Sequence, residues 1–126
     1  MEIWVNPACS KCRAATAALD EAGIAYTVRR YLDEPPTVEE LAAVLDRLGL
    51  EPWHVARTGE AVAKEVGLAS YPKDAAHRSR WLEVMVAHPQ LIQRPIVTAD
   101  DGTTVVGRDP DALDVVIAAE QGRATT

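Results

Sequence analysis

Four things are scarce in this 126-residue sequence, and each absence excludes a class of protein. No apolar run is long enough to span a bilayer, which takes about 20 residues, and no charged-then-apolar leader segment opens the chain. A cytoplasmic location is therefore expected. Histidine occurs only at 54, 77 and 88, without ligand spacing to any cysteine. A structural zinc site needs four ligands, so no metal centre and no bound cofactor are expected. Positive charge is also in deficit. The net charge of -6 argues against a general nucleic-acid binder, which needs a basic face, but leaves room for a small basic pocket that holds an anion. Internal repeats and low-complexity blocks are missing as well. With 48% hydrophobic residues, the chain can build a real core, and one domain over residues 1–126 is the default.

Cysteine is present only twice, and both copies fall in Asn6-Pro7-Ala8-Cys9-Ser10-Lys11-Cys12-Arg13. At this spacing, in a reducing compartment, two cysteines point to redox or catalytic chemistry rather than to a structural bridge. Ile3 to Val5 reads as a strand, and the residues after the cysteines read as a helix. A thiol in that turn meets unpaired backbone N–H groups and the positive end of the helix dipole. Such placement lowers a cysteine pKa from about 8.5 into the range of roughly 3.5–7.5. Cys9 is the better nucleophile because it precedes the helix, while Cys12 lies in its first turn and either resolves an intermediate or fills the core. Arg13 and Lys11 are the nearest cations in sequence, and Asn6 fits a role in shaping the loop.

Ala15, Ala18, Leu19 and Ala22 form an apolar helical stripe that ends at Gly23, and Ala25 to Leu32 reads as a second strand. Strand, helix and strand within about thirty residues make a βαβ unit with parallel strands. Asp33 to Pro36 breaks the chain. Thr37 and Glu40 form a capping box for a helix that carries Leu41, Val44, Leu45 and Leu48 and ends at Gly49. A short helix over Ala61–Val66 and another capped by Asp74 follow, the latter ending at His88-Pro89. Arg94-Pro95 then precedes a strand over Ile96–Thr98, a turn at Asp100-Asp101-Gly102, and an antiparallel strand over Thr103–Val106. A last helix carries Leu113, Val116 and Ile117, and a frayed polar tail is expected over about 121–126. The order is that of an α/β, thioredoxin- or glutaredoxin-like fold: a four-stranded mixed sheet with a helical insertion over about 33–90.

Asn6-Pro7-Ala8-Cys9, Tyr31-Leu32-Asp33-Glu34-Pro35-Pro36-Thr37, His88-Pro89-Gln90-Leu91-Ile92 and Arg94-Pro95-Ile96-Val97 carry a further signal. Through them the chain, from Ile3 to about Ala118, resembles the glutaredoxin-like arsenate reductases and the Spx-type redox regulators that share their fold. The resemblance implies that the Cys9 thiolate attacks arsenate and that Arg57, Arg94 and Arg108 hold the oxyanion. It also implies a cis-proline at Pro95, facing the cysteine. A thiol co-substrate, either glutathione or another small thiol, or a thioredoxin- or glutaredoxin-type partner, would then release arsenite. Two positions depart from the family pattern. Val5 stands where well-studied members carry a histidine, and Cys12 is a second cysteine that glutathione-dependent members lack. Two other readings stay open at this point: an Spx-type regulator that binds RNA polymerase, and a general thiol reductase.

Overall fold

Ile3, Trp4 and Val5 are all buried, so the first strand is apolar on both faces. A run of that kind suits the middle of a sheet. The computed structural model, which describes residues 1–125, puts it there. The elements run β1 (Glu2–Val5), α1 (Ser10–Glu21), β2 (Thr27–Arg30), α2 (Val38–Leu48), α3 (Ala61–Glu65), α4 (Arg78–Ala87), β3 (Ile96–Thr98), β4 (Thr104–Val106) and α5 (Pro110–Thr125). The strand order is β2-β1-β3-β4, with β1 parallel to β2, and with β3 antiparallel to both β1 and β4. This is the four-stranded mixed sheet expected from the sequence. No helix among the described residues is long and apolar enough to cross a membrane.

The chain divides into two compact units. The first comprises Met1–Glu34 together with the chain from Arg94 onward, and it holds the whole sheet, α1 and α5. Its core joins Ile3, Val5 and Val97 from the strands, and Ala99 just past β3, to Cys12, Ala15 and Leu19 of α1 and Leu113 and Val116 of α5. α1 ends where Gly23 takes a φ of +72°, which lets its N–H reach the Asp20 carbonyl and the Ile24 N–H reach Leu19. Those two bonds satisfy carbonyls that the helix end leaves open.

The second unit, Pro35–Gln93, is helical. The Thr37 side chain accepts from the Glu40 N–H at 3.1 Å and the Glu40 carboxylate accepts from the Thr37 N–H at 3.0 Å, so the capping box forms in full. Trp81 is buried among Trp53 and Tyr71, with ring centroids 6.0 and 5.6 Å away.

Three boundaries differ from the sequence reading by more than one residue. β2 covers Thr27–Arg30 rather than Ala25–Leu32, because the N–H groups of Asp33 and Glu34 both turn back to the Arg30 carbonyl. Asp74 caps a single 3-10 turn over Ala75–His77, and α4 proper begins at Arg78. The last helix continues to Thr125, past the Gln121 where the tail was expected to begin, and position 126 lies outside the described residues.

Candidate active site

The register of the sheet brings four strand ends to one level. Val5 pairs with Arg30, so one residue further along, Asn6 stands level with Tyr31. Trp4 pairs with Ile96 in the antiparallel ladder, which carries Asn6 level with Arg94. Ile96 pairs with Val106, and beyond it the Gly107 N–H donates to the Pro95 carbonyl at 2.9 Å, which brings Arg108 level with Arg94. Across the sheet end the order is therefore Tyr31, Asn6, Arg94, Arg108.

The loop from Asn6 to Cys9 is a tight turn above this row. The Cys9 N–H donates to the Asn6 carbonyl at 2.9 Å, and the Asn6 side chain accepts from the Ala8 N–H at 3.0 Å. Asn6 thus shapes the loop, as its residue type suggests. Cys9 is the N-cap residue of α1, with extended backbone angles, and it is half-buried. Its sulfur makes no formal capping hydrogen bond, yet the backbone N–H groups of Cys12 and Lys11 favour its charge. Burial alone would push the Cys9 thiol up. The Cys12 N–H, the Arg94 guanidinium, the Cys12 thiol and the Lys11 N–H outweigh that and bring its pKa down to about 7. Near neutral pH about half of Cys9 is then thiolate.

Cys12 is 2% exposed and belongs to the core of the first unit. Burial, followed by the neighbouring Cys9, pushes its thiol up to about 11, against the opposing effects of the Asn6 N–H and Arg94. The two cysteines are both free thiols, and they are electrostatically unlike. One is poised as a thiolate and the other keeps its proton.

Arg94 is the second centre of the site. Its peptide bond to Pro95 is cis. Its Nε and Nη1 are buried and have no hydrogen-bond partner among the described residues. An unsatisfied buried donor costs about 1–3 kcal/mol, so two of them in one side chain call for a ligand. Burial works against the charge of this guanidinium. Tyr31 and Cys9 outweigh burial and hold its pKa above the ordinary arginine value. Arg108 is half-buried, and its Nη1 donates to the Arg94 carbonyl at 2.7 Å.

The structure therefore brings Cys9, Cys12, Asn6, Arg94, Pro95 and Arg108 together within one unit. Arg13 is exposed on α1. Arg57 belongs to the second unit, where its Nε donates to Glu60 at 3.2 Å and its Nη1 to Gln93 at 3.4 Å. Among the described residues no cluster of three or more histidine, cysteine or acidic side chains could hold a metal ion. His54 and His77 serve local turns, with His54 Nδ1 accepting from the Glu51 N–H and His77 pairing with Asp74. Tyr31, read in the sequence as part of a strand and of the motif running to Thr37, was given no role at the site. It is fully buried beside Arg94. The parallel register, which the structure supplies, sets it one residue past Arg30 and level with Asn6.

Known proteins are similar to this chain in sequence and fold. A model of the ArsC family matches residues 4–116. An uncharacterized protein from the glnII region of Streptomyces viridochromogenes is 58% identical over 113 residues, covering 90% of this chain and 95% of that protein. An arsenate reductase of Neisseria meningitidis serogroup A is 38% identical over 118 residues, covering 93% and 97% respectively. The solved structure of an arsenate reductase from Vibrio cholerae aligns with a TM-score of 0.81 at 36% identity, over 92% of this chain and 98% of that one.

Proposed function

The chain belongs to the ArsC family, and on that footing we propose that it reduces arsenate to arsenite, with Cys9 as nucleophile and the whole chain acting as one thioredoxin-like domain. The observation that carries this reading is the pair of unsatisfied buried donors on Arg94, beside a thiol whose pKa falls to about 7. A tetrahedral oxyanion supplies acceptors for such donors, and guanidinium groups match its geometry.

In the first step the Cys9 thiolate attacks arsenic. A sulfur–arsenic bond forms and one arsenate oxygen leaves as water once protonated. Arg94 and Arg108 offset the negative charge of the oxyanion. Arg57 enters the proposal as the third anion ligand on the family resemblance alone. In the second step another thiol attacks the Cys9 sulfur. A disulfide forms, and the sulfur–arsenic bond breaks with its electron pair going to arsenic. Arsenic falls from the +5 to the +3 state and leaves as arsenite, while each of the two sulfurs is oxidised by one electron.

Two thiols are candidates for that second step. An external thiol such as glutathione gives a mixed disulfide. Cys12 gives a Cys9–Cys12 disulfide that a thioredoxin- or glutaredoxin-type protein must reduce. Cys12 is held protonated partly by the charge on Cys9. Adduct formation removes that charge, so Cys12 ionises more easily at the step that needs it. The test is arsenate-dependent arsenite release by the purified protein with glutathione and glutaredoxin, or with thioredoxin. Turnover that disappears in Cys9→Ser supports the reading; no turnover with either thiol system overturns it.

A further inference from the structure

We propose that Glu60 and Gln93 are positioning residues that together aim the Arg57 guanidinium and leave its outer N–H groups for an oxyanion. The inference rests on the reading of Arg57 as the third anion ligand. Arg57 Nε donates to Glu60 Oε1 at 3.2 Å, and Nη1 donates to Gln93 Oε1 at 3.4 Å. A guanidinium has five N–H groups. Nη2 keeps both of its N–H groups and Nη1 keeps one, without an acceptor among the described residues. Paired donors on a planar head group suit the oxygens of an oxyanion. The space beside them is a cleft of about 500 Å³ in the second unit, whose polar side chains are Arg57, Thr58, Glu60 and Gln93.

An exposed ion pair three residues apart contributes little by itself. Two observations set this one apart. The side chains are only partly exposed, 25% for Arg57 and 32% for Glu60. Gln93, remote in the chain, holds a second nitrogen of the same head group. The backbone brings all three together. Ala56 and Ile92 pair in a single antiparallel bridge. On either side of it the Arg57 N–H donates to the Leu91 carbonyl at 2.7 Å, and the Gln93 N–H to the Val55 carbonyl at 2.8 Å. The Glu60 N–H donates to the Arg57 carbonyl at 3.3 Å, and Glu60 is the N-cap residue of α3. Arginine is long and rich in rotamers, so a head group held in advance spares an incoming anion the cost of ordering it. Neither residue touches the anion in this scheme. Each acts through Arg57. A carboxylate beside an anion site also repels the anion, so the grip of Glu60 on Arg57 must outweigh its charge.

Glu60→Ala removes the acceptor and the charge, whereas Glu60→Gln keeps an acceptor oxygen and removes only the charge. The first measurement is the NMR order parameter of the Arg57 Nε–H bond, assigned by its absence in Arg57→Lys. It should fall below about 0.6, the flexible range, in Glu60→Ala and stay high in Glu60→Gln. The second is arsenate kinetics on the same preparations. KM should rise on the order of threefold in Glu60→Ala, the scale of a partly exposed pair, with kcat changed less. Glu60→Gln should return KM to the wild-type value or below it. In an Arg57→Ala background, Glu60→Ala should add no further rise. An order parameter that is unchanged in Glu60→Ala overturns the proposal. So does a KM that falls in Glu60→Ala, since Glu60 would then act only as a repelling charge. If Glu60→Ala does not fold, Gln93→Leu carries the same test: the order parameter should fall, and no change overturns the proposal. Arg57→Ala with an unchanged KM takes Arg57 out of the site and the proposal with it. The order parameter needs no arsenate, so a wild-type protein that fails to turn over arsenate would sink the enzymatic reading while leaving Glu60 and Gln93 to be judged by the order they impose on Arg57.

Discussion

The Arg108 guanidinium donates through Nη1 to the Arg94 carbonyl at 2.7 Å, so one arginine of the site holds the backbone of the other. The two are fourteen residues apart in sequence, and the β3–β4 hairpin makes them neighbours. Replacing Arg108 by alanine removes a cation near the anion site and a hydrogen bond at the same time. We expect KM for arsenate to rise about tenfold, and unfolding free energy to fall by about 1 kcal/mol, as for one partly exposed charged hydrogen bond. Chemical denaturation and steady-state kinetics on one preparation check both. Full stability with an unchanged KM would remove Arg108 from the site.

Alkylation of Cys9 should follow a titration with its midpoint near pH 7. The same shift bears on stability, with a definite sign. The folded-state pKa of Cys9 lies below its ordinary value of 9.0, so its stabilising effect is complete above pH 9 and is lost as the pH falls through 7. Cys12 behaves in the opposite sense. Its pKa is raised to about 11, so its effect holds below pH 9 and is lost as the pH rises through 11. Relative to the Cys9→Ser, Cys12→Ser double variant, wild-type stability should climb from pH 7 to 9 and decline from 9 to 11. A flat difference between the two proteins across that range contradicts both assignments.

Cys12 decides the electron route. After arsenate exposure without added thiol, whole-protein mass spectrometry should show a loss of two hydrogens in wild type if Cys12 attacks the Cys9 sulfur, and no such loss in Cys12→Ser. If the external thiol does the work, wild type keeps both hydrogens until glutathione is added. It then gains one glutathione on Cys9.

Gly107 is buried, and a methyl group there would meet Leu113 Cδ2 at 3.0 Å, Val97 Cγ2 at 3.2 Å and Pro95 Cγ at 3.5 Å. Gly107→Ala must therefore move either the α5 core contact or the β3 end. Overpacking of this kind costs about 1–3 kcal/mol. Thermal unfolding should show the loss. Arsenate KM should rise too, because Gly107 bonds the Pro95 carbonyl and precedes Arg108.

The sequence made some of this plain and hid the rest, for physical reasons. Cys9 was readable because a cysteine after Asn-Pro and before an alanine-rich stripe can hardly avoid a helix start, and it is the N-cap residue of α1. Thr37 and Glu40 were readable because a capping box is a local pattern that closes on itself. The β3–β4 hairpin followed from Asp101-Gly102, where Gly102 takes a φ of +95°. The end of β2 was not readable, since Tyr31 and Leu32 have strand propensity and only the turn onto the Arg30 carbonyl stops them. The environment of Arg94 was not readable either. Its unpaired donors and its neighbour Tyr31 depend on pairing between strands remote in sequence, and residue types do not report pairing.

The row of strand ends also has a consequence for the time at which reactivity appears. Trp4 pairs with Ile96, so the central ladder closes only after the chain has spanned the whole of Pro35–Gln93. Contacts of such long sequence separation form late in folding and slowly. During synthesis Cys9 emerges early, before β3 exists to bring Arg94 to it. It meets Arg94 only once β3 has docked on β1. The share of the Cys9 shift that comes from Arg94 therefore arrives last, after the share supplied by the N–H groups of α1.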